Sequence, residues 1–148
     1  MTHKNFMNLA LQQAVACEAR GEIPVGAVII KDNQVVAQAG NRIVELKDTT
    51  AHAETLVIRA ASEILGNERL MDCDLYTTLE PCTMCAAAIS YARIRRLYYG
   101  AEDEKFGAVD NGVRFYQASS CHHRPEVYGG INEAEASNML KAFFRARR

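Results

Sequence analysis

From Val35 to Tyr99 the chain alternates strand and helix periods, and this alternation constrains the fold more than any other feature. Val35 to Ala39 reads as a strand, Ala51 to Leu65 as a helix, Asp74 to Leu79 as a strand, Cys82 to Ala92 as a helix and Arg95 to Tyr99 as a strand. A strand–helix–strand–helix–strand order implies right-handed crossovers, strands that pair at least partly in parallel, and helices that cover the sheet. Before this unit, Thr2 to about Arg20 carries Met7, Ala10, Leu11, Ala14 and Cys17 at helical spacing. Ile23 to Ile30 then forms a strand that pairs with Val35 to Ala39 across the turn Lys31-Asp32-Asn33-Gln34. Thr49 or Thr50 is available to cap the second helix and Gly66 to stop it. Residues 42–50 read as polar loop and 101–125 as irregular. Glu126 to Tyr128 is expected as a short edge strand, and Glu133 to Arg147 as a terminal helix capped by Asn132. No stretch has the composition of a linker, so residues 1–148 are expected to form a single domain.

Composition excludes several function classes. The 148 residues are 49% hydrophobic, enough for one core that buries about 68–70% of the unfolded surface without disulfide staples. The longest apolar run, Ile23 to Ile30, is interrupted by Pro24 and Gly26 and falls far short of the ~18 residues of a membrane span. The opening M-T-H-K-N-F-M-N-L-A-L-Q-Q lacks the apolar core of a secretion signal, and a cytoplasmic location is expected. Five cysteines, an odd number, point in that compartment to metal binding or burial rather than a disulfide framework. The charge is unevenly placed. Four of the 17 basic residues and none of the 18 acidic ones lie in the last eight positions, leaving an acidic body with a basic tail. Such a tail is either a solvated helix end or part of a binding edge.

The sharpest chemical signal is His52-Ala53-Glu54 followed by Pro81-Cys82-Thr83-Met84-Cys85. Cys82 and Cys85, three apart on a helix that Pro81 opens, share a face and can share a metal. Thiolates at a helix N-terminus are stabilised by its dipole. His52 and Glu54 would diverge by about 200° on a regular helix, so both reach one ion only if it lies off the helix N-terminus. The simplest arrangement has two helix N-termini aimed at one ion. His52, Cys82 and Cys85 make three protein ligands, the number that leaves a position open for water in catalytic zinc sites. Zinc lowers the pKa of water, and Glu54 stands beside the ligands without being needed as one, placed to move protons. Cys17, Cys73, Cys121, His122 and His123 are the candidates for a fourth ligand of a closed structural site. Cys17 and Cys73 fit apolar patterns, whereas Cys121-His122-His123 reads as metal contact, surface loop or substrate-side segment.

H-x-E with P-C-x-x-C is the known signature of the zinc nucleobase deaminases. The wider pattern resembles the bacterial tRNA adenosine deaminases, the TadA type. The matching stretches are I-P-V-G-A-V (Ile23 to Val28), G-N-R (Gly40 to Arg42), T-A-H-A-E (Thr50 to Glu54), T-L-E-P-C-T-M-C (Thr78 to Cys85), G-A-x-D-x-K-x-G-A (Gly100 to Ala108) and F-F-R-x-R-R (Phe143 to Arg148). Thr49 departs from the proline that often precedes T-A-H-A-E, at a cost in loop rigidity. The resemblance implies a cytidine-deaminase-like three-layer α/β/α sandwich with a mixed five-stranded sheet, and a homodimer holding one Zn2+ per subunit. It implies hydrolytic deamination of adenosine to inosine at the wobble position of a tRNA, typically an arginine tRNA, by zinc-activated water with Glu54 as proton shuttle. It places Asn41, Val25 and Ala53 around the base, although Asn41 reads equally well as a turn residue. It sets Asp103 and Lys105 beside the flanking nucleotides, and Phe144, Arg145 and Arg148 against the anticodon stem-loop. One of Phe143 and Phe144 at least belongs to the core. A free-base or nucleotide deaminase acting on guanine, cytosine or dCMP shares the zinc motif and is the competing reading. A silent RNA-binding subunit with structural zinc is the third.

Overall fold

The computed structural model describes residues 2–147. Helix α1 (His3–Ala19) starts at Thr2, whose hydroxyl accepts the Asn5 N–H at 3.2 Å, and it buries Phe6, Met7, Ala10, Leu11, Ala14 and Cys17. Strands β1 (Gly26–Lys31) and β2 (Gln34–Gly40) form the expected hairpin, with Lys31 paired to Gln34. Asp32 and Asn33 both take positive φ, 50° and 62°, the backbone of a turn whose twist matches that of the strands. There follow α2 (Ile43–Leu46), α3 (Ala53–Leu65), β3 (Cys73–Leu79), α4 (Thr83–Tyr91), β4 (Arg96–Ala101), a 3-10 turn (Phe115–Gln117), β5 (Glu126–Tyr128) and α5 (Glu133–Arg145).

The five strands make one sheet in the order β2-β1-β3-β4-β5. β3, β4 and β5 run parallel, and β1 is antiparallel to both of its neighbours, so the sheet is mixed. Alternate residues of β1 serve opposite faces. Ala27 and Ile29 join Ala53, Val57 and Ala61 of α3 and Ala86 and Ile89 of α4 in one core cluster. Val28 and Ile30 join Phe6, Met7 and Ala10 of α1 and Ala136 of α5 in the other. The result is the three-layer sandwich. Burial on both faces explains why β1 reads as a nearly unbroken apolar run instead of an alternating one. Close approach also demands Gly26, since a Cβ there would lie 1.9 Å from the Ala10 carbonyl oxygen.

Several boundaries differ from the sequence reading, each for a tertiary reason. β1 begins at Gly26 and not at Ile23, because Pro24 has no N–H to pair and the Val25 carbonyl is taken by the Asn41 N–H at 3.1 Å. The 42–50 segment is not all loop. The Glu22 carboxylate, 2% exposed, accepts the Val44 and Glu45 N–H groups at 3.1 and 2.9 Å and thereby caps α2 from twenty residues away. α3 is capped by His52 in extended backbone rather than by Thr49 or Thr50, and Thr50 turns instead onto Asp48 Oδ1. Gly66 ends α3 with φ 67°, as read. α5 stops at Arg145 rather than Arg147; Asn132 is its N-cap, as read, with its carbonyl accepting the Ala136 N–H at 3.1 Å while its side chain turns to Lys4 and Asn8. Among the described residues no helix is long and apolar enough to cross a membrane.

Candidate active site

The C-terminal end of β3 and the N-termini of α3 and α4 meet at one point. His52 is the N-cap of α3 and Cys82 the N-cap of α4, both in extended backbone, with Glu54 and Cys85 in the first turns. This corrects the reading of Cys82 as a helical residue. The two cysteines converge because one precedes the helix and the other ends its first turn, and the same offset lets Glu54 sit near His52. Cys82 Sγ and Cys85 Sγ lie 3.7 and 3.6 Å from His52 Nδ1. Zinc–nitrogen bonds of about 2.05 Å and zinc–sulfur bonds of about 2.3 Å at a tetrahedral angle give a nitrogen–sulfur separation of about 3.6 Å, so the donors are already spaced for that ion. Among the described residues these three form the one group of His, Cys, Asp or Glu ligand atoms within 4.8 Å of each other. The cluster suits a zinc ion with an open fourth position.

The proton inventory of the donors fits metal exchange. The hydrogen bond from the Cys85 thiol pulls Cys82 down to about 4 against its burial, with His52 adding to the fall. The same hydrogen bond, with burial, raises Cys85, and His52 is raised by its hydrogen bond with Cys82. Protons shared this way are released when a divalent metal takes the donors. Glu54 is 4% exposed, and burial pushes its carboxyl up to about 7, the Cys82 charge contributing in the same direction.

A cavity of about 260 Å3 opens beside the cluster, lined by Val25, Asn41, His52, Glu54, Cys82 and Phe106 among others. Val25 therefore lines it. Ala53 does not: it is fully buried, and its N–H is donated to Asn41 Oδ1 at 2.8 Å. Asn41 Nδ2 donates to the Ile23 carbonyl at 3.1 Å. One of the amide's bonds thus ties the end of β2 to α3 and the other ties it to the segment before β1, and one N–H remains, since a side-chain amide carries two. The cavity continues into a groove of about 800 Å3 through the shared residues Ile23, Leu79, Asp103 and Phe106. Asp103, Lys105, Phe144 and Arg145 all line that groove, as does Lys141. Phe143 is the core residue of its pair at 3% exposure, with the Arg147 guanidinium 3.6 Å over its ring, while Phe144 is 47% exposed. Arg148 lies outside the described residues.

The other candidate ligands stand elsewhere. Cys17 is buried against the Val25 and Asn41 carbonyls, and Cys73 is buried at the start of β3. Cys121 is buried too, its thiol on the His123 carbonyl at 3.2 Å. His123 Nε2 lies 2.7 Å from the Ile94 carbonyl, so that segment is a structural tie. Sequence reasoning missed the role of Glu80. Only 2% exposed, its carboxylate accepts N–H groups from Asp103, Val109, Asp110 and Asn111 at 2.9–3.1 Å and the Asn111 amide at 2.7 Å. Glu80 thus holds the loop bearing Asp103, Lys105 and Phe106 against the strand that ends at the metal ligands. A Cβ at Gly107 would lie 2.5 Å from the Glu80 carboxyl carbon, which explains the glycine there. Glutamate directly before Pro81 was the available signal.

Residues 1–101 match the family described as the cytidine and deoxycytidylate deaminase zinc-binding region. A tRNA-specific adenosine deaminase of Agrobacterium fabrum is 59% identical over 144 residues, 97% of this chain and 95% of that protein. A structure from work on A-to-I editing by tRNA:A34 deaminases at the wobble position of transfer RNA superimposes with a TM-score of 0.92 at 59% identity, covering 93% of this chain and all of that one. A guanine deaminase from Bacillus subtilis shares the fold at a TM-score of 0.67 and 36% identity, over 80% of this chain and 87% of its own. With its three-donor cluster, its mixed sheet and these relatives, the chain belongs to the cytidine and deoxycytidylate deaminase family, in the branch of the tRNA-specific adenosine deaminases.

Proposed function

We propose that the chain converts adenosine to inosine at the wobble position of a tRNA anticodon, an arginine tRNA by family resemblance. The observation that carries this reading is the continuity of two spaces. A cavity beside the three-donor cluster, lined by His52, Cys82 and the buried Glu54, opens into a larger groove lined by Lys105, Lys141, Phe144 and Arg145. The first has the chemistry for a base, and the second has cations and an aromatic ring for a folded-out RNA loop.

His52, Cys82 and Cys85 would hold one zinc per chain, through Nδ1 and two sulfurs. When bound, the ion acts as a Lewis acid that makes water nucleophilic at neutral pH. Glu54 would take a proton from the attacking water and deliver it to N1 of the purine as the new C6–O bond forms. The second water proton passes by the same carboxyl to the exocyclic nitrogen, the C6–N6 bond breaks, and ammonia leaves inosine behind. Val25 packs against the base, and the remaining Asn41 N–H is free for an acceptor on the purine edge. Burial of Glu54 keeps bulk water from competing for its proton. Asp103 and Lys105 lie beside the flanking nucleotides, with Phe144 and Arg145 toward the stem-loop. A homodimer working in the cytoplasm completes the reading, and sedimentation at twice the monomer mass tests the dimer.

The decisive assay incubates the zinc-loaded protein with an anticodon stem-loop carrying adenosine at the wobble position, with free guanine and with cytidine, and measures inosine and ammonia. Inosine in the stem-loop is the expected result. Turnover of guanine or cytidine with the stem-loop untouched would instead favour the competing reading, a free-base or nucleotide deaminase; the Bacillus subtilis relative is named a guanine deaminase.

A further inference from the structure

Phe106 stands where the cavity meets the groove, lines both, and is 66% exposed, the most exposed apolar side chain of either lining. Exposure of this kind normally comes with a loose loop, and here it does not. The Phe106 N–H is donated to Asp103 Oδ1 at 3.0 Å, and the Asp103 N–H is donated in turn to Glu80 at 3.0 Å. Gly107 pairs with Cys82 in an isolated bridge, directly after the ring. The backbone on both sides of Phe106 is thus fastened to the metal-ligand motif, and the ring is presented to solvent from a rigid mount. Lys105 Nζ lies over the ring, 5.2 Å from its centroid, which leaves the opposite face for another flat group. Glu102 and Glu104 on the same wall disfavour phosphate there, whereas Lys141 and Arg145 on the α5 wall favour it.

We propose that Phe106 is a stacking platform for the unpaired base that adjoins the target adenosine, with the RNA backbone running along the α5 wall of the groove. The proposal rests on the reading that the target lies in an RNA loop. Stacking on an aromatic ring is sequence-tolerant, so Phe106 sets affinity and the splay of the loop more than base identity.

The test compares wild type, Phe106→Ala and Phe106→Trp on the anticodon stem-loop and on two loops lacking the base 5′ or 3′ of the target. On the intact loop Phe106→Ala raises KM by about 5- to 150-fold, carried by KM rather than kcat, and Phe106→Trp restores it. On one abasic loop the wild type shows the same rise, and Phe106→Ala adds nothing to it. The proposal is overturned if Phe106→Ala leaves KM unchanged, if its effect persists in full on both abasic loops, or if its thermal midpoint falls, which marks a packing role. If the wild type deaminates free bases and no stem-loop, the substrate reading itself fails and takes the platform with it, a result separable from the others by the wild type alone.

Discussion

Glu54 and Glu80 are the same residue type, 4% and 2% exposed, and stand on either side of the metal-ligand motif, yet the fold uses them in opposite ways. Glu80 is saturated: four backbone N–H groups and an amide converge on its two oxygens. Glu54 has burial without such a cradle, and its carboxyl rises to about 7. A buried carboxylate whose oxygens are occupied by donors is held in place and becomes scaffold. One that is buried without them is left able to gain and lose a proton near neutrality, which suits proton transfer. The contrast divides the site into a reacting half built on two helix N-termini and a holding half built on a loop.

Variants can break this division, starting with the largest effect. His52→Ala should abolish deamination and lower bound zinc to near zero relative to wild type, read by metal analysis beside inosine formation; full zinc retention would reject the ligand set. Glu54→Gln is expected to cut kcat by about 100- to 10,000-fold while zinc content stays at the wild-type level. A parallel loss of zinc would make Glu54 a ligand and erase its distinction from Glu80. Glu80→Gln sharpens the other side. It turns an amide N–H toward backbone donors and should cost about 2–4 kcal/mol in urea unfolding, with a rise in KM for RNA as the 102–111 loop loosens. Equal stability with unchanged KM would show the loop to be held by other contacts. Glu22, which holds only α2 on the opposite wall through two N–H groups, offers the matched control, and Glu22→Gln should cost about 1–2 kcal/mol. The smallest change is expected from Arg145→Ala, exposed at the groove: weaker RNA binding across all sequences and a salt slope shallower by about 0.7, measured by titration at several salt concentrations.

Much of this architecture was legible from residues close in sequence. The α1 stripe, the Asp32-Asn33 turn, the Gly66 stop and the edge strand Glu126–Tyr128 obey local rules of period and backbone preference, and each is present. What escaped were interactions between distant residues. The one-turn helix at Ile43–Leu46 exists because Glu22 caps it, and no window around residue 43 contains that glutamate. Likewise Phe106 read as an unmarked position inside G-A-x-D-x-K-x-G-A, since its exposure at the cavity mouth follows from Glu80 holding the loop. Phe143 and Phe144 divided as one buried and one exposed, a choice the doublet alone left open.

In the sequence, an H-x-E and a P-C-x-x-C single out the candidate donors and the glutamate beside them, because ligand type and valence are properties of residues. Tertiary structure alone decided that His52 and Cys82 are caps rather than helical residues, which is what lets His52, Cys82 and Cys85 share one point while Glu54 lines the cavity beside them. It also decided which of three buried glutamates would be held, Glu22 and Glu80 by N–H groups from distant loops, and which would be left able to react. Burial and hydrogen-bond supply are set by what packs around a carboxyl, and that company comes from segments up to 31 residues away.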